Sequence, residues 1–371
     1  MDIRRRVGTR RAVRLIVAVI GVACVGSGSP EWTRAVGAVA SASAVGQVDD
    51  GVARLKGTVW VVNRDRGELA IFDVDTGNVL ATRPVGAGAH DICISEQAGK
   101  AYISAETIGI VTTVDLETLA MESIPVGPLP HHLEPSHDGR TIYVSLASHS
   151  PAVGAPQYAA IDTDTNRVSY GPTSASAAAR SHGPHPSLDG ETLYVAHDVG
   201  DRVSAVDLLT NAISFEIPSI ARAEEAIATR FGDLLWVSSR GDDTVKRIDL
   251  ATNTITGSVR VGVQPESVML TPSERTLVVS HRGSPAILAF VDTKALAFDG
   301  SVRIGPANAF GDLAVITKNG HHVFATFDAG MAGTGGVAVV DVHKREVVAT
   351  WAYPGTGRPH GVWHTRRTPR P

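Results

Sequence analysis

Seven residues at one constant offset along this chain are all histidine or a carboxylate. Each lies twelve positions before the second residue of a recurring β-rich run: His90 before Tyr102, His131 before Tyr143, His182 before Tyr194, Glu224 before Trp236, Glu266 before Val278 and Asp312 before Phe324. The seventh, His360, follows from matching Pro359-His360 to Pro130-His131. With 14 His and 38 Asp plus Glu among 371 residues, seven matches in seven have a chance frequency on the order of one in a million, before discounting for the few dozen registers available. Neutral imidazole is the commonest protein ligand for Fe, Cu, Zn and Ni, and carboxylates ligate beside it or accept from its outer N–H. The pattern therefore points to metal chemistry, provided the fold gathers the seven positions.

The elements that must gather them are repeats of about forty residues. The runs are Val59-Trp60-Val61-Val62, Ala101-Tyr102-Ile103-Ser104, Ile142-Tyr143-Val144-Ser145, Leu193-Tyr194-Val195-Ala196, Leu235-Trp236-Val237-Ser238, Leu277-Val278-Val279-Ser280 and Val323-Phe324-Ala325-Thr326. After each comes an apolar strand ending in Asp (73, 115, 162, 207, 249, 292 and 341), then a turn such as Asp75-Thr76-Gly77-Asn78 and a further strand closing on Val-Gly. A short strand then leads through Asp-Gly turns into the next run. Seven sets of four short antiparallel strands predict an all-β, seven-bladed β-propeller, because a ring of blades leaves no long exposed edge. The chain starts on a second strand and ends on a first strand, so the C-terminal strand is expected to pair into the N-terminal blade and close the circle. The abundance of Gly (37) and Pro (20) suits such a turn-rich chain.

Across residues 57–371 the chain resembles the YVTN family of seven-bladed propellers. The Tyr-Val-Ser and Trp-Val-Ser runs, the Ile/Val-Asp-x-x-Thr turns and the Val-Gly-x-x-Pro segments carry the resemblance. It implies the fold and leaves the activity open, since propellers host many chemistries.

In that topology the innermost strands begin beside the axis at one rim, so the order His360, His90, His131, His182, Glu224, Glu266, Asp312 forms a circle at the channel mouth. Four imidazoles face three carboxylates, which repel one another unless a positive charge offsets them. The expected centre is a divalent transition metal, Fe, Cu, Zn or Mn, held by His90, His131, His182 and His360. Glu224, Glu266 or Asp312 would act as general base or orient the ligands. The first functional reading is a metal-dependent enzyme acting on a small organic molecule, with oxygenase, lyase and hydrolase chemistry all open. The alternative is a non-catalytic extracytoplasmic propeller that binds a metal, ligand or cell-surface partner. A purely structural surface repeat is the third.

Loops on the same rim carry Asp65, Glu106, His149, His197, Asp198, Arg240, His281, Arg282 and Asp328. Of these Arg240 and Arg282, with His281 and His197, are the candidates for substrate binding, since paired guanidinium groups clamp carboxylates. The longer loops at 148–157 and 330–336 are candidate lids. His132, Glu134, His185 and His364 are expected to pack between blades, Cys93 to be a small buried hydrophobe, and the strand-ending Asp residues to hold turns.

Residues 1–44 read as an export signal. Six Arg precede an uncharged apolar stretch at 15–29, too short to span a membrane, and Thr9-Arg10-Arg11 matches part of a twin-arginine pattern. Cys24 sits in a weak lipoprotein box. Residues 45–56 form a short lead-in. Removing the basic head shifts a formal net charge of −4 to about −9, which excludes nucleic acid as a partner. No transmembrane segment is expected in the mature chain, and the localisation is extracytoplasmic. Two Cys rule out a disulfide scaffold or a thiolate zinc site.

Overall fold

The recurring runs become strands buried on both faces. Thr58–Asn63 is buried throughout, and Lys100–Ala105, Thr141–Leu146, Leu234–Ser239 and Thr276–His281 are buried at all but their first residue. Such a strand needs apolar cover on each side, and a neighbouring blade supplies each cover. The computed structural model describes residues 55–147, 156–172, 180–330 and 334–370. Among these, 28 strands form seven four-stranded antiparallel sheets, and no helix is long and apolar enough to cross a membrane. The proposed export segment with Cys24, the lead-in up to residue 54, His149 and the middle of both long loops lie outside the described residues.

The expected seven-bladed propeller and its closure are both present. The C-terminal strand Pro359–Thr365 pairs antiparallel with Thr58–Asn63, setting Thr58 opposite Thr365, Trp60 opposite Trp363 and Val61 opposite Val362. One face of that first blade packs Trp60, Val62, Leu69 and Ile71 against Ile92, Ala101 and Ile103 of the second. The other face packs Val59, Val61 and Phe72 against Phe324, Val337, Val339 and Trp351 of the last. Each fully buried aliphatic side chain contributes about 1.5–3 kcal/mol, so the core is a set of layers between blades. The outermost strands, such as Val79–Pro84, alternate toward solvent.

The strand-ending Asp residues hold turns. Asp73 Oδ1 accepts from the Thr76 N–H at 2.9 Å and its hydroxyl at 2.8 Å, and Asp115, Asp162, Asp207 and Asp249 repeat the pattern with Thr118, Thr165, Thr210 and Thr252. The following residue is left-handed in each case: Gly77, Leu119, Asn166, Asn211 and Asn253.

Every inner strand carries a β-bulge at one place, and this positions the site. Two residues of the inner strand stand opposite one residue of its partner: His90 and Asp91 opposite Ser104, His131 and His132 opposite Ser145, His182 and Gly183 opposite Ala196, Glu224 and Glu225 opposite Ser238. Glu266 and Ser267 face Ser280, Asp312 and Leu313 face Thr326, and His360 and Gly361 face Val62. A bulge breaks the two-residue alternation, so a blade such as that of His131 and His132 sends two consecutive side chains toward the axis. The Ser of the Tyr-Val-Ser run explains its recurrence. Ser104 Oγ accepts from the Asp91 N–H at 3.1 Å and donates to the His131 carbonyl of the next blade at 2.5 Å. Ser145 does the same with His132 and His182, and Thr326 donates to the His360 carbonyl at 2.7 Å. The motif ties the bulge to the neighbouring blade. Gly183 is small of necessity, because a Cβ there would come within 2.6 Å of the Glu224 carbonyl oxygen.

Candidate metal centre

The seven register residues converge as one buried cluster. His90, Glu224, Glu266 and His360 have no exposed surface, and His131, the most open, is 9% exposed. The ring centroids of His90 lie 3.8 Å from His131 and 4.0 Å from His360, and His131 lies 4.5 Å from His182. His132 also reaches this cluster, with its ring 4.5 Å from both His131 and His182. That corrects the expectation that it packs between blades: the bulge turns it to the axis. The register eleven residues before each anchor carries the missed signal, since it holds Asp91, His132 and Glu225.

The carboxylate arc already contains its cation. Arg240 places Nη1 2.8 Å from Glu224 Oε1 and bonds Glu266 Oε2 through Nη2. The mutual repulsion of the carboxylates is relieved from inside the protein, not by a metal, and Arg240 is not the substrate clamp the sequence suggested. Glu224 also faces His182, with Oε2 2.7 Å from Nε2. Burial raises the Glu224 carboxyl, but His182 and Arg240 outweigh it and hold the group below its ordinary range. Glu224 and Glu266 are thus held in ion pairs, whereas Asp312 borders an open cavity, 3.2 Å from His360 Nε2. Burial pushes the Asp312 carboxyl up despite Arg282, Arg64 and Arg240.

Burial disfavours positive charge on the imidazole arc. Burial, reinforced by neighbouring histidines or arginines, holds His90, His131 and His360 well below their usual range. His182 is also lowered, chiefly by burial. His132 differs: burial opposes its charge, but the hydrogen bond to Asp91 and the Asp91, Glu225 and Glu224 carboxylates raise it. Its Nδ1 stands 3.1 Å from Asp91 Oδ2, leaving Nε2 without a hydrogen-bond partner. A carboxylate on one imidazole nitrogen with the other nitrogen open is the arrangement that orients metal-ligating histidines. Above this arc Glu106, on a 3-10 turn at Glu106–Ile108, sits 3.3 Å from His131 Nε2 and 3.8 Å from His90 Nε2, held by Arg64 at 2.7 Å.

Three groups bring one ligand atom per residue within 4.8 Å of the others: His90, His131 and His132; His132, His182 and Glu266; His182, Asp198 and Glu224. In the last two the carboxylates are already engaged, Glu266 and Glu224 by Arg240 and Asp198 by Arg180. The all-imidazole group is the uncommitted one. His360 belongs to none of the three and turns to Asp312 instead.

Two proposed substrate residues do not reach an open surface. His197 is fully buried with Nε2 2.9 Å from Ser204 Oγ, and His281 is 1% exposed behind Gly262. Arg282 does line a cavity of about 710 Å³ above Asp312. His364 packs between blades as expected, stacked on Phe324 at 5.3 Å, and Cys93 is a buried free thiol.

The two stranded histidines make a pH prediction. Burial lowers His281 to about 4 and His197 to about 3 from 6.5. Between those values the unfolded chain binds more protons than the folded one, so their contribution is complete above about pH 6.5 and is lost as pH falls toward 4. Shifts of this size correspond to roughly 3 kcal/mol for His281 and roughly 5 kcal/mol for His197. Glu225, raised to about 7 by burial, acts in the opposite sense, so the informative quantity is a difference. His281→Gln is expected to flatten the loss of stability between about pH 6.5 and 4, measured by urea unfolding at each pH. A slope equal to wild type would contradict a buried neutral imidazole.

No protein-family model matches the chain, and no curated protein matches it. Solved structures share its fold at low identity. The structure of a functionally unknown protein from Desulfotomaculum acetoxidans is 13% identical with a TM-score of 0.66, covering 84% of this chain and 99% of that one. Dihydro-heme d1 dehydrogenase NirN in complex with DHE is 16% identical with a TM-score of 0.62, covering 84% and 75%. Kuenenia stuttgartiensis hydrazine synthase is 19% identical with a TM-score of 0.51 over 57% of this chain, which spans 63% of that one. At these identities the shared property is the propeller itself.

Proposed function

We propose that His90, His131 and His132 hold a divalent transition metal at the channel mouth and that the protein is an exported, YVTN-like, metal-dependent enzyme acting on a small organic molecule. One observation carries this reading. Four buried ring nitrogens of this group, both of His90, Nδ1 of His131 and Nε2 of His132, have no hydrogen-bond partner. Each unpaired buried polar group costs about 1–3 kcal/mol, and a cation bound by the three imidazoles, with His132 giving up its Nε2 proton to bind, removes that cost for the nitrogens it takes. Nitrogen donors without a thiolate suit Fe, Cu, Zn or Mn. Bound there, the metal would supply Lewis acidity or an activated water.

The chain's own residues would do the rest. Asp91 holds the His132 ring in its ligating orientation, and Glu106 caps His90 and His131. Asp312, kept in reach of its protonated form by burial, gives or takes a proton where the cluster meets the cavity. That two enzymes share the fold supports a catalytic use of the mouth only by analogy. The non-catalytic binding propeller uses the same residues and parts from this reading at turnover. Metal analysis by inductively coupled plasma mass spectrometry tests the core of the proposal. About one metal per chain is expected in the purified protein and far less in His131→Ala, whereas a metal-replete wild type without stoichiometric metal would defeat it.

A further inference from the structure

The charges lining the cavity above Asp312 are not all matched. Arg358 is paired with Asp65 at 3.1 Å, and Arg66 lies 3.4 Å from Glu68. Arg282 is different. Among the described residues the one carboxylate within 4.0 Å of it is Glu266, whose other oxygen already serves Arg240, and Asp312 in the same lining faces His360 Nε2 at 3.2 Å. Asp328 is the complementary case. Its Oδ1 accepts the Gly330 N–H at 2.8 Å, and no cationic side chain among the described residues pairs with it. Both line the same cavity of about 710 Å³. Its wall also carries Phe310, half exposed although apolar, on the inner strand that ends the cavity at Asp312.

A lone guanidinium binds a carboxylate through two parallel N–H donors. A lone carboxylate in the same cavity accepts an ammonium group, and an exposed aromatic ring on the strand beside it covers apolar surface. A cavity with one open positive pole, one open negative pole and an aromatic wall fits a ligand with the reverse of that pattern. We infer that the cavity binds a small zwitterionic amino acid, its carboxylate on Arg282, its ammonium on Asp328 and its apolar side against Phe310. The inference rests on the metal reading only in making this cavity the approach to the reactive end, and it deepens that reading by naming the substrate class. A simple anion would leave Asp328 facing it unmatched, and a simple amine would leave Arg282 so.

The test uses three probes with one aromatic body: L-phenylalanine, 3-phenylpropionate, which lacks the ammonium, and 2-phenylethylamine, which lacks the carboxylate. Calorimetric titration into the purified protein is expected to rank L-phenylalanine at least tenfold tighter than either analogue. Arg282→Gln should abolish its advantage over the amine, and Asp328→Asn its advantage over the acid. Equal affinities for the three, no binding by any at millimolar concentration, or a ranking untouched by both substitutions would overturn the inference. Metal content is read on the same samples. Neither substitution touches the imidazole group, so wild-type metal with no probe discrimination rejects the ligand assignment alone. Discrimination in a protein without metal rejects the metal reading and leaves the cavity's ligand standing.

Discussion

Arg240→Leu is expected to destabilise the protein by about 3–5 kcal/mol, the cost of leaving buried charge without its partner. The side chain is 7% exposed, and the side chains of both carboxylates it serves, Glu224 and Glu266, are fully buried. Burial lowers its guanidinium only to about 10, so it carries its charge at any ordinary pH. Without it two carboxylates on adjacent blades face each other in a dry site, and one must take up a proton or draw in water. Urea unfolding at neutral pH reads the loss. A compensated variant, Arg240→Leu with Glu224→Gln and Glu266→Gln, removes the charges together and should recover much of it, because a neutral trio leaves no uncompensated ion. A loss below about 1 kcal/mol for the single substitution would show that the three groups do not form a buried ion cluster.

The second large effect separates two histidines that the repeat register treats alike. His132→Ala is expected to lower metal affinity by more than the 10–100-fold typical of an outer-sphere partner, since it removes a donor. His360→Ala should stay within that range, because its Nε2 faces Asp312 and it joins none of the metal-spaced groups. Competition with a chromogenic chelator measures both. The opposite ranking would return His360 to the ligand set of His90, His131, His182 and His360 that the sequence pattern suggested.

Much of the architecture was readable before any coordinates, for a physical reason. Blade strands are short, local and repeated, so the period of the apolar runs and the Asp-x-x-Thr turns report the topology directly. The offset from Tyr102, Tyr143 and Tyr194 to His90, His131 and His182 survives because each hairpin has the same length. The side-chain directions at the site were not readable. A strand is taken to alternate, and alternation sends His132 away from His131. The bulge opposite Ser145 cancels that, and only the neighbouring register of Asp91, His132 and Glu225 hints at it. Arg240 was misplaced for a related reason. A loop arginine looks like a solvent-facing clamp until the depth of the two carboxylates beneath it is known.

The doubled residue in each inner strand also changes what the scaffold can be made to hold. Packing between blades uses the strands further out together with inner-strand residues such as Ile92 and Leu133, while axial side chains such as His131 and His132 contact counterparts on adjacent blades. The axis is thus furnished as two stacked tiers, one led by His90 and His131 and the other by Asp91 and His132. Donors outside the Arg240 ion cluster, such as His90 and His131, are open to exchange by point substitution while the apolar layers stay as they are, whereas Glu224, Glu266 and Gly183 are fixed by their neighbours. A change of cargo would then need new letters at a few axial sites and no new architecture.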